Sequence, residues 1–190
     1  MKRRIEDSNY YHVQNHRSQG DANSNPISKY LSQLNVNVND NFYFLDIGCR
    51  AAHTVGIFKD LGANSYGFDI GDNALAGWSN LNYRNNLKQH DAHFPFDYDF
   101  NFDLISISHA LEHCHTPELV LKNIYNSLKN NGKVWCVVPI EDMNFDHTGH
   151  AHYTIFTDHK EHIDMFDNNG FNVIWHECTG NESRLIAIKK

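Results

Sequence analysis

The sequence predicts an α/β domain built on a doubly wound, mostly parallel sheet that closes with an antiparallel hairpin. Three observations carry this expectation. From Phe42 onward, short apolar runs of strand type alternate with segments of helical periodicity. Successive strand-type runs end at or near an aspartate: Asp46 in Phe44-Leu45-Asp46-Ile47-Gly48-Cys49, Asp69 in Ser65-Tyr66-Gly67-Phe68-Asp69-Ile70, and Asp91 in Leu87-Lys88-Gln89-His90-Asp91. The last two strand-type runs are joined by the turn Thr179-Gly180-Asn181-Glu182, and so tight a link requires antiparallel pairing.

The elements follow in order. Residues 17–25, RSQGDANSN, are polar and rich in turn formers and read as a loop or arm. A short helix comes next, with Asn25 as cap and Pro26 in its first turn. Ile27, Tyr30, Leu31 and Leu34 repeat at three and four and share one face. Strands are expected at Tyr43–Ile47, Ser65–Asp69, Leu87–Asp91, Phe102–Ser106 and Lys133–Val138. Helices are expected near Thr54–Leu61, Asn73–Asn80 and Pro117–Leu128, the last capped by Thr116 and stopped by Asn131-Gly132. A helix from Asp158 to about Asn168 ends at Gly170, and strands Phe171–His176 and Arg184–Ile188 form the hairpin. The chain thus divides into an arm and short helix over 1–41, expected to serve as a substrate lid, and a main domain over 42–190.

Composition narrows the function. With 16 basic and 23 acidic residues the net charge is −7, which gives no electrostatic footprint for phosphate backbones and disfavours a nucleic-acid partner. No apolar run is long enough for a membrane span, and no signal-peptide pattern is present. Cys49, Cys114, Cys136 and Cys178 are scattered without zinc spacing, so the expectation is a cytoplasmic protein with reduced thiols. Oligomeric state is not legible.

The glycine after Asp46 suits close backbone approach to a nucleotide-type cofactor. The motifs in order resemble those of the class I S-adenosylmethionine-dependent methyltransferases, with their Rossmann-like sheet and C-terminal hairpin. Phe44 to Cys49 is similar to the first motif and Tyr66 to Ile70 to the second. Asp91-Ala92-His93-Phe94-Pro95-Phe96 resembles the stretch flanking the adenine. Phe102 to His113 resembles the fourth-strand motif ending in Leu-Glu-His, and Ser127 to Val134 the turn before the fifth strand. The resemblance implies an S-adenosylmethionine site made by Asp46, Gly48, Cys49, Arg50, Asp69, Ile70, Asp91, Ala92 and His109. Asp69 would accept from the ribose hydroxyls, Asp91 and Ala92 would meet the adenine, and His109 would lie beside the methyl group. The family usually carries glycine where this chain has Arg50 and Ala52, which leaves open a domain with weakened cofactor binding.

Methyl transfer needs an aligned nucleophile and sometimes a base. Among fourteen histidines, His109 is one catalytic candidate; His147, His150 and His152 cluster after the fifth strand, and His150 is the second candidate. Two methyltransferase groups, the ubiquinone-pathway O-methyltransferases and the small-RNA 3′-end 2′-O-methyltransferases, carry an ExxEH motif that holds a divalent metal. The resemblance places His109, Glu112, His113 and His152 at the metal-holding positions. With His109 replacing the first glutamate, mixed His/Glu ligation suits a transition metal better than magnesium. Tyr10, Tyr11, Phe94, Phe96 and Tyr98 are candidates to line an acceptor pocket, while Phe100 and Phe102 read as buried packing. The leading expectation is methyl transfer to a small-molecule acceptor at oxygen. Alternatives are a metal-assisted 2′-O-methyltransferase of RNA ends and a degenerate domain that binds cofactor without turnover.

Overall fold

The computed structural model describes residues 2–3, 26–71, 74, 77–142 and 152–190. Among them, nine strands are assigned. β1 (Lys2–Arg3) pairs antiparallel with β7 (Thr154–Ile155). The other seven form one sheet: β2 (Tyr43–Ile47), β3 (Asn64–Asp69), β4 (Leu87–Gln89), β5 (Phe102–Ser108), β6 (Leu128–Pro139), β8 (Phe171–Thr179) and β9 (Glu182–Lys189), in spatial order β4-β3-β2-β5-β6-β9-β8. β2 is parallel to both β3 and β5, while β9 runs antiparallel between β6 and β8. This is the doubly wound sheet with an antiparallel end that the sequence predicts.

Alternation along the strands splits the core in two. On one face Phe44, Leu104, Trp135, Val137 and Ile186 meet Phe58 of α2 (His53–Asp60) and Ile27 and Leu34 of the N-terminal segment. That segment is a 3₁₀ turn over Pro26–Tyr30 followed by one α-turn, α1 (Leu31–Leu34). Tyr30 packs on Trp135 and Trp175 at 4.9 and 5.2 Å, so residues 26–34 belong to the body of the domain. On the other face Leu45, Ile105, Val134, Cys136 and Leu185 meet α3 (Pro117–Ser127) and α4 (His159–Asn168). Asp158 caps α4 by accepting the Glu161 amide at 2.9 Å, and Glu161 Oε2 accepts the Thr157 amide and hydroxyl in return. Within the expected helix at 73–80, Ala74, Gly77 and Trp78 are helical.

β5, β8 and β9 run two or three residues beyond expectation at one end, and two further boundaries differ for a definable reason. α3 ends at Ser127 and the chain passes directly into β6 at Leu128, with Asn131-Gly132 inside the strand. The pairing there slips from Phe102↔Leu128 to Leu104↔Lys133, so residues 129–132 form a bulge. A Cβ at Gly132 would stand 2.8 Å from the Lys129 carbonyl and 3.0 Å from that of Phe102, which explains the glycine. β4 stops at Gln89, so Asp91 lies beyond the strand in a turn.

No described helix is long and apolar enough to cross a membrane.

Candidate functional site

After β4 the chain leaves the outer edge of the sheet and returns to β5, beside β2. The loops at the carboxyl ends of β2 and β5 therefore part in opposite directions and open a crevice at the topological switch point. Gly48 and Ala110 face each other across it. Gly48 has φ +70°, and a Cβ there would lie 2.8 Å from the Ala110 Cβ.

The loop after β2 is held on both sides. Gly48 and Cys49 donate their amides to the Phe68 carbonyl at 2.9 and 3.1 Å. Arg50 donates its amide to Asp69 Oδ2 at 2.9 Å. The Trp78 indole donates to the Arg50 carbonyl at 2.5 Å and the Tyr83 hydroxyl to the Ala52 carbonyl at 3.2 Å. Arg50 (φ +44°) and Ala52 (φ +60°) both sit in the left-handed region. The positions where the family usually has glycine thus keep a glycine-like backbone path while carrying side chains, and Arg50 is exposed.

The three aspartates are in different states. Asp46 is 4% exposed, and burial pushes its carboxyl up to about 7 although the Ser106 and Thr54 hydroxyls offset part of that cost. Asp69 closes β3, with Oδ1 accepting the Gly71 amide at 2.8 Å and Oδ2 that of Arg50. Each oxygen keeps a further lone pair for a ligand hydroxyl. Asp91 Oδ1 accepts both the amide and the Nδ1–H of His93, at 2.9 and 2.7 Å. Burial would raise its pKa, but His93 holds it below the usual value. Two apolar side chains stand open near these carboxylates in the sequence: Ile70, 37% exposed, and Phe94, 63% exposed. Asn123 Nδ2 fixes the Ala92 carbonyl at 2.9 Å.

His109 leaves β5 at φ +51°, its amide donating to the Val137 carbonyl at 2.9 Å. Its imidazole lies between two carboxylates. Nδ1 is 3.6 Å from Glu112 Oε1 and Nε2 is 3.1 Å from Glu182 Oε1. Glu112 first, and Glu182 with it, hold the imidazole pKa above its ordinary value against the effect of burial. Glu182 also pairs with Arg184, Arg184 Nη1 lies 3.4 Å from Glu177 Oε2, and the Tyr30 hydroxyl donates to Glu177. A polar chain therefore runs from the crevice to the N-terminal segment.

Leu111–His113 form a 3₁₀ turn that swings Glu112 inward. Glu112 is 1% exposed, and its Oε2 has no hydrogen-bond partner among the described residues. Burial would raise its pKa, but His109, His113 and His152 together hold it below the usual range, so it is a carboxylate at neutral pH. Two backbone bonds bring the later segment here: Tyr153 N–H to the Glu112 carbonyl and Glu141 N–H to the Phe156 carbonyl, both 2.8 Å. Thr154 Oγ1 adds a bond to the Cys114 carbonyl at 2.8 Å. Glu112, His113 and His152 thereby offer one ligand atom each within 4.8 Å of one another. One ionised oxygen and two imidazole nitrogens form a donor set that fits a divalent transition metal. His109, expected as a fourth ligand, lies outside this group with its Nε2 turned to Glu182. His147, His150, Tyr10 and Tyr11 fall outside the described residues.

Sequence reasoning missed Glu182 and Glu141. Glu182 is 73 positions from His109, and no motif joins them. Glu141 accepts a hydrogen bond from His152 Nδ1, 11 positions further along the chain. Its only signal is a carboxylate just past β6, on the ligand-bearing edge of the sheet.

The comparisons with known proteins bear on the family and the fold. A family model described as a methyltransferase domain matches residues 19–178. The demethylmenaquinone methyltransferase of Lactobacillus johnsonii is 32% identical over 117 residues, covering 56% of this chain. The chain spans only 46% of the length of that relative. Among solved structures, magnesium protoporphyrin IX methyltransferase from Synechocystis, with bound SAH, superposes with a TM-score of 0.65 at 14% identity, covering 86% of this chain and 80% of its own. A SAM-dependent methyltransferase from Aquifex aeolicus gives 0.67 at 14% identity, covering 86% and 89%. At such identities the structural likeness establishes the fold.

Proposed function

The chain belongs to the methyltransferase-domain family, and from that premise we propose that it transfers a methyl group from S-adenosylmethionine to a small-molecule acceptor, at oxygen. The observation that carries the reading is the switch-point crevice itself. Asp46 and Asp69 stand on adjacent parallel strands, Asp91 follows the next strand out, and the Gly48–Ala52 loop is tied to Asp69 and Phe68. The cofactor supplies an electrophilic methyl group on a sulfonium. The chain's residues would bind and orient it: Asp69 would accept from the ribose hydroxyls, Asp91 and the Ala92 backbone would meet the adenine, and Asp46 with the Gly48–Arg50 backbone would face the amino-acid portion. His109 would stand at the methyl end, its ring lying between Glu112 and Glu182. His150 is the second candidate base. Among the described residues, 139–142 and 152–156 would border the acceptor pocket. Three buried free cysteines and one exposed one fit a reducing, cytoplasmic setting.

A second reading of the chemistry is favoured by the cluster of Glu112, His113 and His152. A divalent metal held there would bind an acceptor hydroxyl and lower its pKa. The net charge of −7 speaks for a metabolite over an RNA end as that acceptor.

Calorimetric titration with S-adenosylmethionine tests the cofactor site. Wild type should bind at roughly micromolar strength, about −8 kcal/mol, and Asp69→Ala should abolish the signal while keeping the fold. A well-folded wild type that gives no heat of binding would reduce the proposal to shared architecture.

A further inference from the structure

Glu141 belongs to none of the motifs, yet it is the residue that fixes the chemistry of His152. Its amide is bonded to the Phe156 carbonyl at 2.8 Å, and the neighbouring Ile140 bridges Phe156 in parallel. Its backbone is therefore positioned independently of its side chain. The Oε1 atom accepts from His152 Nδ1. A carboxylate can only accept, so the bond selects the imidazole tautomer with its proton on Nδ1 and its lone pair on Nε2. The His152 ring is in edge contact with that of His113, with centroids 4.8 Å apart and planes at 72°. The His113 Nε2 in turn lies 4.0 Å from Glu112 Oε1. A buried carboxylate with an unpartnered oxygen, two imidazoles and a carboxylate behind one of them is the layered arrangement of a histidine-rich metal centre.

We propose that Glu141 is the positioning residue of a three-ligand metal centre formed by Glu112, His113 and His152. It orients His152 and raises the basicity of Nε2 without itself binding the ion. His109 lies outside this three-residue group, with Nε2 turned to Glu182 and Nδ1 3.6 Å from Glu112 Oε1, and is not counted among the ligands. The inference rests on the metal-assisted reading above and adds to it the tautomer, the supporting carboxylate and the class of ion. One oxygen and two nitrogen donors select a borderline transition ion such as Zn²⁺, Mn²⁺ or Co²⁺ over Mg²⁺, which prefers oxygen ligands. Three protein ligands also leave coordination positions open for an acceptor oxygen.

The test uses the full chain and cobalt(II) chloride as probe, with affinity read by equilibrium dialysis and coordination by the visible d–d absorption. Wild type should bind one Co²⁺ ion that excess Mg²⁺ does not displace. Glu141→Gln should weaken Co²⁺ binding by about 10- to 100-fold while leaving the band shape unchanged. Glu141→Ala should lose at least as much, and both should melt near wild type because the Glu141 backbone bond survives. His109→Gln should keep the wild-type band. Wild-type Co²⁺ affinity in both Glu141 variants, or a band altered by Glu141→Gln, would overturn the positioning role while leaving the metal reading intact. Absence of Co²⁺ binding by wild type would remove the metal reading and this inference together.

Discussion

The Tyr153 amide donates to the Glu112 carbonyl at 2.8 Å, and this single backbone bond places His152 beside His113. The two segments are forty positions apart in the chain, so the cluster exists only once β7 has docked against the turn after β5. Thr154, fully buried, reinforces the same contact through the Cys114 carbonyl.

Two of the glycines with crowded Cβ positions, Gly48 and Gly132, should separate function from stability. Gly48→Ala places a methyl group 2.8 Å from the Ala110 Cβ at a left-handed residue. It should cost about 1–3 kcal/mol and weaken S-adenosylmethionine binding at least tenfold. Gly132→Ala should destabilise by a similar amount, through the Lys129 and Phe102 carbonyls, yet leave cofactor affinity unchanged. Melting curves paired with calorimetry check both; equal losses of affinity would contradict the separation.

Arg50 is exposed in a left-handed conformation that costs a side-chain-bearing residue about 1–2 kcal/mol. Arg50→Gly removes that cost and adds unfolded-state entropy, so the net gain should be at most about 1 kcal/mol. Chemical denaturation measures it. A clear destabilisation would show that the arginine side chain contributes more than the strained backbone costs.

Asp46 and His162 should oppose each other in the pH dependence of stability. Asp46 is raised from 3.8 to about 7, so its contribution is complete below pH 3.8 and is lost as pH rises through 7. His162 is fully buried, with Nδ1 3.0 Å from Ser183 Oγ and Nε2 3.3 Å from Cys136 Sγ. Burial lowers its pKa from 6.5 to about 3, so its contribution is complete above pH 6.5 and is lost as pH falls toward 3. Between about pH 4 and 6.5 the two slopes, each about 1.4 kcal/mol per pH unit, cancel. Asp46→Asn should therefore become acid-sensitive in this window, and His162→Gln should lose stability as pH rises. Urea midpoints at about pH 4.5 and 6.5 decide it; variants that track wild type at both would refute the opposition.

Phe94, 63% exposed, follows Asp91 in the stretch assigned to the adenine. Phe94→Ala should reduce cofactor affinity by about tenfold, or about 1.4 kcal/mol, with no change in melting temperature. Unchanged affinity would place the adenine elsewhere.

The strands were readable wherever burial imposes a pattern. β2 lies where the apolar run Tyr43–Ile47 predicts it, because every one of its residues after Tyr43 is buried. The β6 boundary was misread because Asn131-Gly132 looks like a helix stop, and only the bulge against Phe102 shows what the glycine is for. β1 carries two basic residues and no apolar signal, so its pairing with β7 has no trace in the sequence. In the candidate site, the residues on motifs can be named from the sequence, while Glu141 and Glu182 cannot. Each acts on a histidine through a contact that only the folded topology creates.

The position of β9 bears on how the protein is made. β8 leaves the ribosome first, but among the described residues its neighbour in the sheet is β9, which lies between it and β6. Until Glu182–Lys189 is synthesised, β6 presents an open edge and β8 has no partner strand. The growing chain therefore carries an unpaired strand edge until β9 has emerged, and over that interval self-association competes with folding. Slow synthesis or weakened pairing of this segment would be felt as aggregation of nascent protein, well before any loss of the crevice chemistry.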